Sequence, residues 1–114
     1  MANIDLDYAD YKTINKHKGY CIGFNSEIVL IDTLEVELLN KFKKHFHYAK
    51  GILIKYSLNE NQSLCDIKNI MGKIDDNIKN STPSVDIILG TEDDSSVKLG
   101  ECKFQIIITG LEKL

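Results

Sequence analysis

The sequence predicts an α/β protein. The expected form is a two-layer sandwich, a mixed sheet of about four strands covered by two helices, with a short helix at the N-terminal end. Three observations predict this. Residues 32–47 and 63–78 carry apolar side chains at three- and four-residue steps, the period of a helix with one buried face. Short runs at 19–24, 51–56, 85–90 and 101–109 are rich in aliphatic or aromatic strand formers, and the last of them alternates. The chain has 114 residues, 43% of them hydrophobic and 27% charged, which fits one domain able to bury a core without disulfides or a metal.

Residues 4–14 open with Asp5, Asp7 and Asp10 close together and lead into a short helical pattern. Asp7 is a cap candidate, and carboxylates in a first turn suit the helix dipole. Lys16-His17-Lys18-Gly19 reads as the stop, with basic residues in the last turn and then glycine. Gly19-Tyr20-Cys21-Ile22-Gly23-Phe24 reads as a strand broken by Asn25-Ser26-Glu27. Ile28-Val29-Leu30-Ile31 fits either a strand or the start of the next helix.

The helix over 32–47 opens on Asp32 with Glu35 three residues on, a capping-box spacing. Leu34, Leu38, Leu39, Phe42 and Phe46 form its apolar face. Lysines and histidines crowd its C-terminal half, where cations oppose the dipole. This basic run reads as a solvated face, or as a contact for an acidic partner. His45 and His47 are two residues apart and so diverge by about 200° on a helix, which argues against a shared metal. Gly51-Ile52-Leu53-Ile54-Lys55-Tyr56 is a strand whose continuous apolar start suits burial on both faces.

Asn59 to Gln62 form a loop, and Ser63 is placed to cap a helix with Leu64, Ile67, Ile70, Met71, Ile74 and Ile78 on one face. Asn80-Ser81-Thr82-Pro83-Ser84 ends it. A strand follows at 85–90, then a polar loop at 91–100. Within that loop Glu92-Asp93-Asp94 lacks the alternating ligands of a calcium loop. The strand at 101–109 completes the set. Both strand–helix–strand steps predict parallel crossovers, and the closeness of the last two strands predicts an antiparallel hairpin.

Composition excludes several functions. All fourteen basic residues are lysine, so the chain holds no arginine finger and no bidentate guanidinium clamp. A net charge of −3 argues against a nucleic-acid binder. No apolar run approaches the roughly 20 residues of a membrane span, and no signal peptide is visible, so the cytoplasm is the expected location. Cys21, Cys65 and Cys102 are too far apart for a paired-cysteine metal site. Their odd number argues against a disulfide framework, and they are expected to be buried or half-buried thiols. No nucleophile–base pair is legible for a small stand-alone enzyme.

Three stretches together resemble a known family. Asp5-Leu6-Asp7-Tyr8-Ala9-Asp10-Tyr11-Lys12-Thr13 resembles the catalytic loop and helix start of the bacterial cell-division GTPase FtsZ. The family pattern there runs asparagine, any residue, aspartate, phenylalanine, alanine, aspartate, a hydrophobic residue, a basic residue and threonine. Ala49-Lys50-Gly51-Ile52-Leu53-Ile54, followed by the helix start at Ser63-Leu64, resembles the family's next strand and helix. Val85-Asp86-Ile87-Ile88-Leu89-Gly90-Thr91 and Phe104-Gln105-Ile106-Ile107-Ile108-Thr109-Gly110 resemble its closing strands, the last of which ends in a threonine–glycine pair.

The resemblance covers the family's C-terminal, tubulin-like domain: an acidic loop and short helix at 1–18, and the body of the domain at 19–114, one structural unit. It implies a role in filament assembly at the division septum. In the family GTP is hydrolysed between stacked subunits, one holding the nucleotide and the next contributing an acidic loop. Asp7 and Asp10 fall on the two catalytic aspartates, and Asp5 falls where the family has asparagine. A carboxylate accepts hydrogen bonds but cannot donate as an amide does, and it adds charge beside phosphate. The stretch after Gly23 also lacks the family's glycine-rich turn and arginine.

No glycines stand at a phosphate-binding spacing. The chain alone is therefore expected to bind no cofactor and turn over no GTP; the nucleotide would sit on a partner, either an FtsZ-type subunit or another copy. The alternative implied by the departures is a non-catalytic regulator, cap or self-associating scaffold that kept the fold and lost the chemistry. Neither nucleic acid nor direct membrane insertion is expected.

Overall fold

The computed structural model describes residues 8–82 and 84–112. The elements in order are α1 (Tyr8–Asn15), β1 (Tyr20–Asn25), β2 (Val29–Leu30), a 3₁₀ turn (Ile31–Thr33), α2 (Leu34–Tyr48), β3 (Gly51–Leu58), α3 (Leu64–Ser81), β4 (Asp86–Asp93) and β5 (Glu101–Leu111). The predicted fold class holds: a mixed sheet, here of five strands because β2 adds a two-residue one, with helices packed on it. The ambiguous run at 28–31 splits between β2 and the 3₁₀ turn.

The strand order is β1-β5-β3-β4, with β2 also pairing β5. β3 and β4 are parallel neighbours, Gly51 opposite Asp86 through Leu58 opposite Asp93, so the crossover through α3 is as expected. The predicted hairpin of the last two strands does not form. β5 lies antiparallel to β3 on the side away from β4, and its outer half-ladder pairs β1. β1 and β3 are therefore not neighbours, and β5 fills the space between them. The reason lies in β5 itself. Ile106, Ile107 and Ile108 are apolar on both faces, which suits a strand covered on both sides and paired on both edges. The loop at 94–100 is pinned across the end of β3: Asp94 N donates to Leu58 O, Asn59 Nδ2 to Val97 O, and Gly100 N to Gln62 Oε1, each at 2.8 Å.

One face of the sheet forms the main core. Ile52, Ile54, Tyr56 and Leu58 of β3 and Cys102, Phe104, Ile106 and Ile108 of β5 meet Leu34, Leu38, Phe42 and Phe46 of α2 and Ile67, Met71, Ile74 and Ile78 of α3. The helical faces follow the predicted spacing, with Leu39 at the margin. The predicted caps fail. Thr33, not Asp32, is the N-cap of α2, and its hydroxyl turns back to Leu30 O at 3.1 Å, so no capping box forms. Ser63 stands at the N-cap of α3 without a side-chain cap bond. Asp7 lies outside the described residues. Cys102 is buried and burial pushes its thiol up to about 12, but Cys21 and Cys65 are exposed, contrary to expectation. Cys21 lies on an outer strand that, among the described residues, no further strand covers. Among the described residues, no helix is long and apolar enough to cross a membrane.

Candidate functional site

The second face of the sheet carries α1 at one end. Gly51, Asp86 and Thr109 share a register row and point to this face. Ile14, 1% exposed, is the anchor of α1 here; Leu53, also on this face, is fully buried. The backbone does the rest. Thr109 Oγ1 donates to Ile14 O over 2.7 Å, closing the last turn of α1 onto the end of β5. Gly51 makes the approach possible, since a Cβ there would meet Thr109 Oγ1 at 2.6 Å, His17 Cδ2 at 2.9 Å and Ile14 O at 3.2 Å. Gly110, next to Thr109, has φ +77, and a Cβ on it would meet Lys50 Cβ at 2.5 Å. Thr109 at the end of β5 is thus a fastening for α1, while Gly110 leaves room for the Lys50 side chain.

A side-chain contact adds to it. His17 Nε2, when it carries a proton, donates to Asp86 Oδ2 over 2.8 Å, with Lys16 Nζ at 3.6 Å from the same oxygen. The bond from His17, with the charges of Lys16 and His17, outweighs partial burial and holds the Asp86 carboxyl below its ordinary value. A lowered folded-state value means that the stabilisation is complete above the unfolded carboxylate value of about 3.9 and is lost as pH falls. Amide protection along α1 is therefore expected to fall in acid before that of β3 and β5. Asp86→Asn should flatten this acid dependence, as followed by hydrogen exchange. An unchanged profile in the variant would assign the effect to other groups.

Asp10 sits in the first turn of α1, half-buried, on the helix that this fastening holds. Asp5 and Asp7 lie outside the described residues. Of the three predicted site residues, then, Asp10 alone is placed. Sequence reading missed Gly51, Thr109 and His17 as its support. Thr109-Gly110 was visible as a motif, but its contact with Ile14 spans 95 residues, and His17 read only as part of a helix stop.

Beyond the apolar row of Ile88, Leu53 and Ile107, the remainder of this face is polar. Asn25, Ser26, Lys55, Ser57, Glu92 and Lys103 line a shallow concavity of about 230 Å³. Its charges are paired locally: Lys55 Nζ with Glu92 Oε2 at 3.0 Å, Ser57 Oγ donating to Glu92 Oε1 at 2.9 Å, and Lys103 Nζ with Asp94 Oδ2 at 3.2 Å. Asp94 also accepts from Ser96 Oγ at 2.6 Å and Ser96 N at 2.9 Å, and these bonds with Lys103 bring its carboxyl to about 2. Burial of Glu92 would raise its carboxyl, but Lys55 and Ser57 outweigh it and the net shift is downward. The acidic run at 92–94 is committed to these contacts at two of its three positions. On α2, Lys41 Nζ stands 3.8 Å over the Phe24 ring, so one lysine of the basic run packs on the body of the domain. His45 leans on Phe42 and His47 on Tyr48, so the two histidines diverge. No cluster of three metal-ligating side chains occurs among the described residues.

No family profile matches the chain, and no curated protein sequence does. Solved structures do. An empty FtsZ dimer from M. jannaschii superposes with a TM-score of 0.70 at 20% identity, over 94% of this chain and 32% of that one. An FtsZ W319Y mutant from M. jannaschii gives 0.71 at 20% identity, over 96% and 33%. The fold is FtsZ C-terminal-domain-like. The chain spans about a third of the length of the FtsZ chains it matches. The resemblance read from the acidic helix start, the strand after Gly51 and the threonine–glycine pair is thus matched by the backbone they build.

Proposed function

We propose that this domain stacks on the nucleotide-bearing face of an FtsZ-type subunit, or of another copy with a nucleotide domain. It would present Asp10, with Asp7 and Asp5, to the neighbour's GTP. The observation that supports this reading is the fastening of α1. Thr109, Gly51 and the His17–Asp86 contact hold one short helix at the end of the sheet, with a carboxylate in its first turn. Hydrolysis of a phosphoanhydride needs a water held in line and its developing charge stabilised, and a carboxylate fixed on a docked helix supplies both. Phosphate and metal would come from the partner, so the chain alone has no turnover. Assembly into division filaments is the biological setting of this reading.

Asp5 in place of the family's asparagine favours a second reading, a cap that binds the same face without completing the chemistry. One experiment separates them. GTP turnover by an FtsZ is measured while this chain is titrated in, wild type beside Asp10→Ala. The first reading expects activation by wild type and a loss of about 10²-fold or more of that activation in the variant, the usual scale for a positioned acid–base group. Equal inhibition by both proteins is the result of a cap. No effect from either sinks both readings for that partner.

A further inference from the structure

The sheet has two outer edges, and they are built differently. β4 carries Asp86 at its first position and Glu92 and Asp93 at its last two, and charged side chains on an edge discourage strand addition. β1 reads Tyr20-Cys21-Ile22-Gly23-Phe24-Asn25, with no charge and no proline. Its inner side pairs β5, and among the described residues no strand pairs its outer side. Tyr20 is 56% exposed, and Cys21, Gly23 and Asn25 are exposed with it. Such an edge is a template for another extended strand.

We propose that β1 is a self-association edge, at which two copies of this chain pair antiparallel about a two-fold axis and join their sheets into one. The charges favour a second copy as the occupant. Lys18 precedes the strand and Glu27 follows it, both exposed. An antiparallel mate therefore sets a lysine beside a glutamate at both ends at once, with no like charges opposed. The side chains agree. In a symmetric antiparallel pair one residue faces its own mate, with the axis between the two. Gly23 is the mid-strand position without a side chain. An axis there places Ile22 of each copy opposite Phe24 of the other, on the face where both already pack against the core. The inference does not rest on the proposed nucleotide role.

The test is the weight-average mass of the 114-residue chain by sedimentation equilibrium, under reducing conditions, from micromolar to near-millimolar concentration. Wild type is expected to rise from 12.9 kDa toward twice that value. Gly23→Lys should remain at the single-chain mass. The added side chain has room, since a Cβ at Gly23 meets nothing nearer than Ile106 O at 4.0 Å. Because residue 23 faces itself across the axis, an equimolar mixture of Gly23→Lys and Gly23→Glu should regain the doubled mass. Circular dichroism checks the fold of each variant, and Cys21→Lys replaces Gly23→Lys if the latter does not fold. A wild type that stays at single-chain mass throughout overturns the proposal. So does association that the lysine variants leave unchanged, or a mixture no heavier than its parts.

Discussion

Replacing Gly51 by valine is expected to lift α1 from the sheet. The new Cβ would enter the space held by Thr109 Oγ1, His17 Cδ2 and Ile14 O, and one of these is backbone that cannot rotate away. Overpacking of this kind costs about 1–3 kcal/mol. The Thr109 to Ile14 hydrogen bond would go with it, for about another 1 kcal/mol. The sum exceeds what a helix of eight residues can sustain by itself, because isolated helices that short are marginal in water. The measurement is amide exchange by residue. Protection at Tyr11, Thr13 and Ile14 should fall steeply, while Ile52, Ile54 and Ile106 in the main core keep theirs. Full protection of α1 in the variant would show that the fastening is not what holds it. On the proposed function, the same variant should also lose the activation that depends on Asp10.

The second large effect is in the main core. Phe42 is 4% exposed and its ring lies 5.5 Å from that of Phe24, edge to face, and 5.9 Å from that of Phe46. It joins α2 to β1 through one aromatic cluster, which Lys41 covers from outside. Phe42→Ala removes the ring and leaves a cavity that the flanking rings cannot close without leaving their own contacts. The expected loss is about 3–5 kcal/mol in urea unfolding, a large part of the roughly 5–15 kcal/mol that holds a domain of this kind. A loss below about 1 kcal/mol would mean that α2 slides in to refill the site and that its position is soft.

These two sites differ in how far the sequence announces them. Phe42 was legible because a helix repeats every 3.6 residues, and Leu34, Leu38, Phe42 and Phe46 keep that step. Gly51 was legible only as a strand start. Its role depends on Ile14, His17 and Thr109, which approach it from two distant segments, and no local pattern encodes such a meeting. The caps show the same limit from the other side. Asp32 and Glu35 had the spacing of a capping box, but the 3₁₀ turn moved the helix start to Leu34, and the Thr33 hydroxyl took a different acceptor. Short-range hydrogen bonds compete closely at a helix end, and the surrounding chain chooses between them. Cys21 and Cys65 were expected to be covered because free cysteine is often buried, yet an outer strand and an exposed helix position left both open.

Local pattern was enough for the fold class, the helical faces, the strands and the resemblance that the backbone match bears out at the level of fold. Each of these follows from periodicity within a dozen residues or from motifs in fixed order. The tertiary structure alone decided that β5 sits between β1 and β3, that a threonine at the end of β5 fastens the helix carrying Asp10, and that β1 is left as an uncharged outer edge. Periodicity tells a strand which face to bury. Which neighbour it pairs with depends on how all the strands share their edges, and that is settled only when the whole sheet closes on its core.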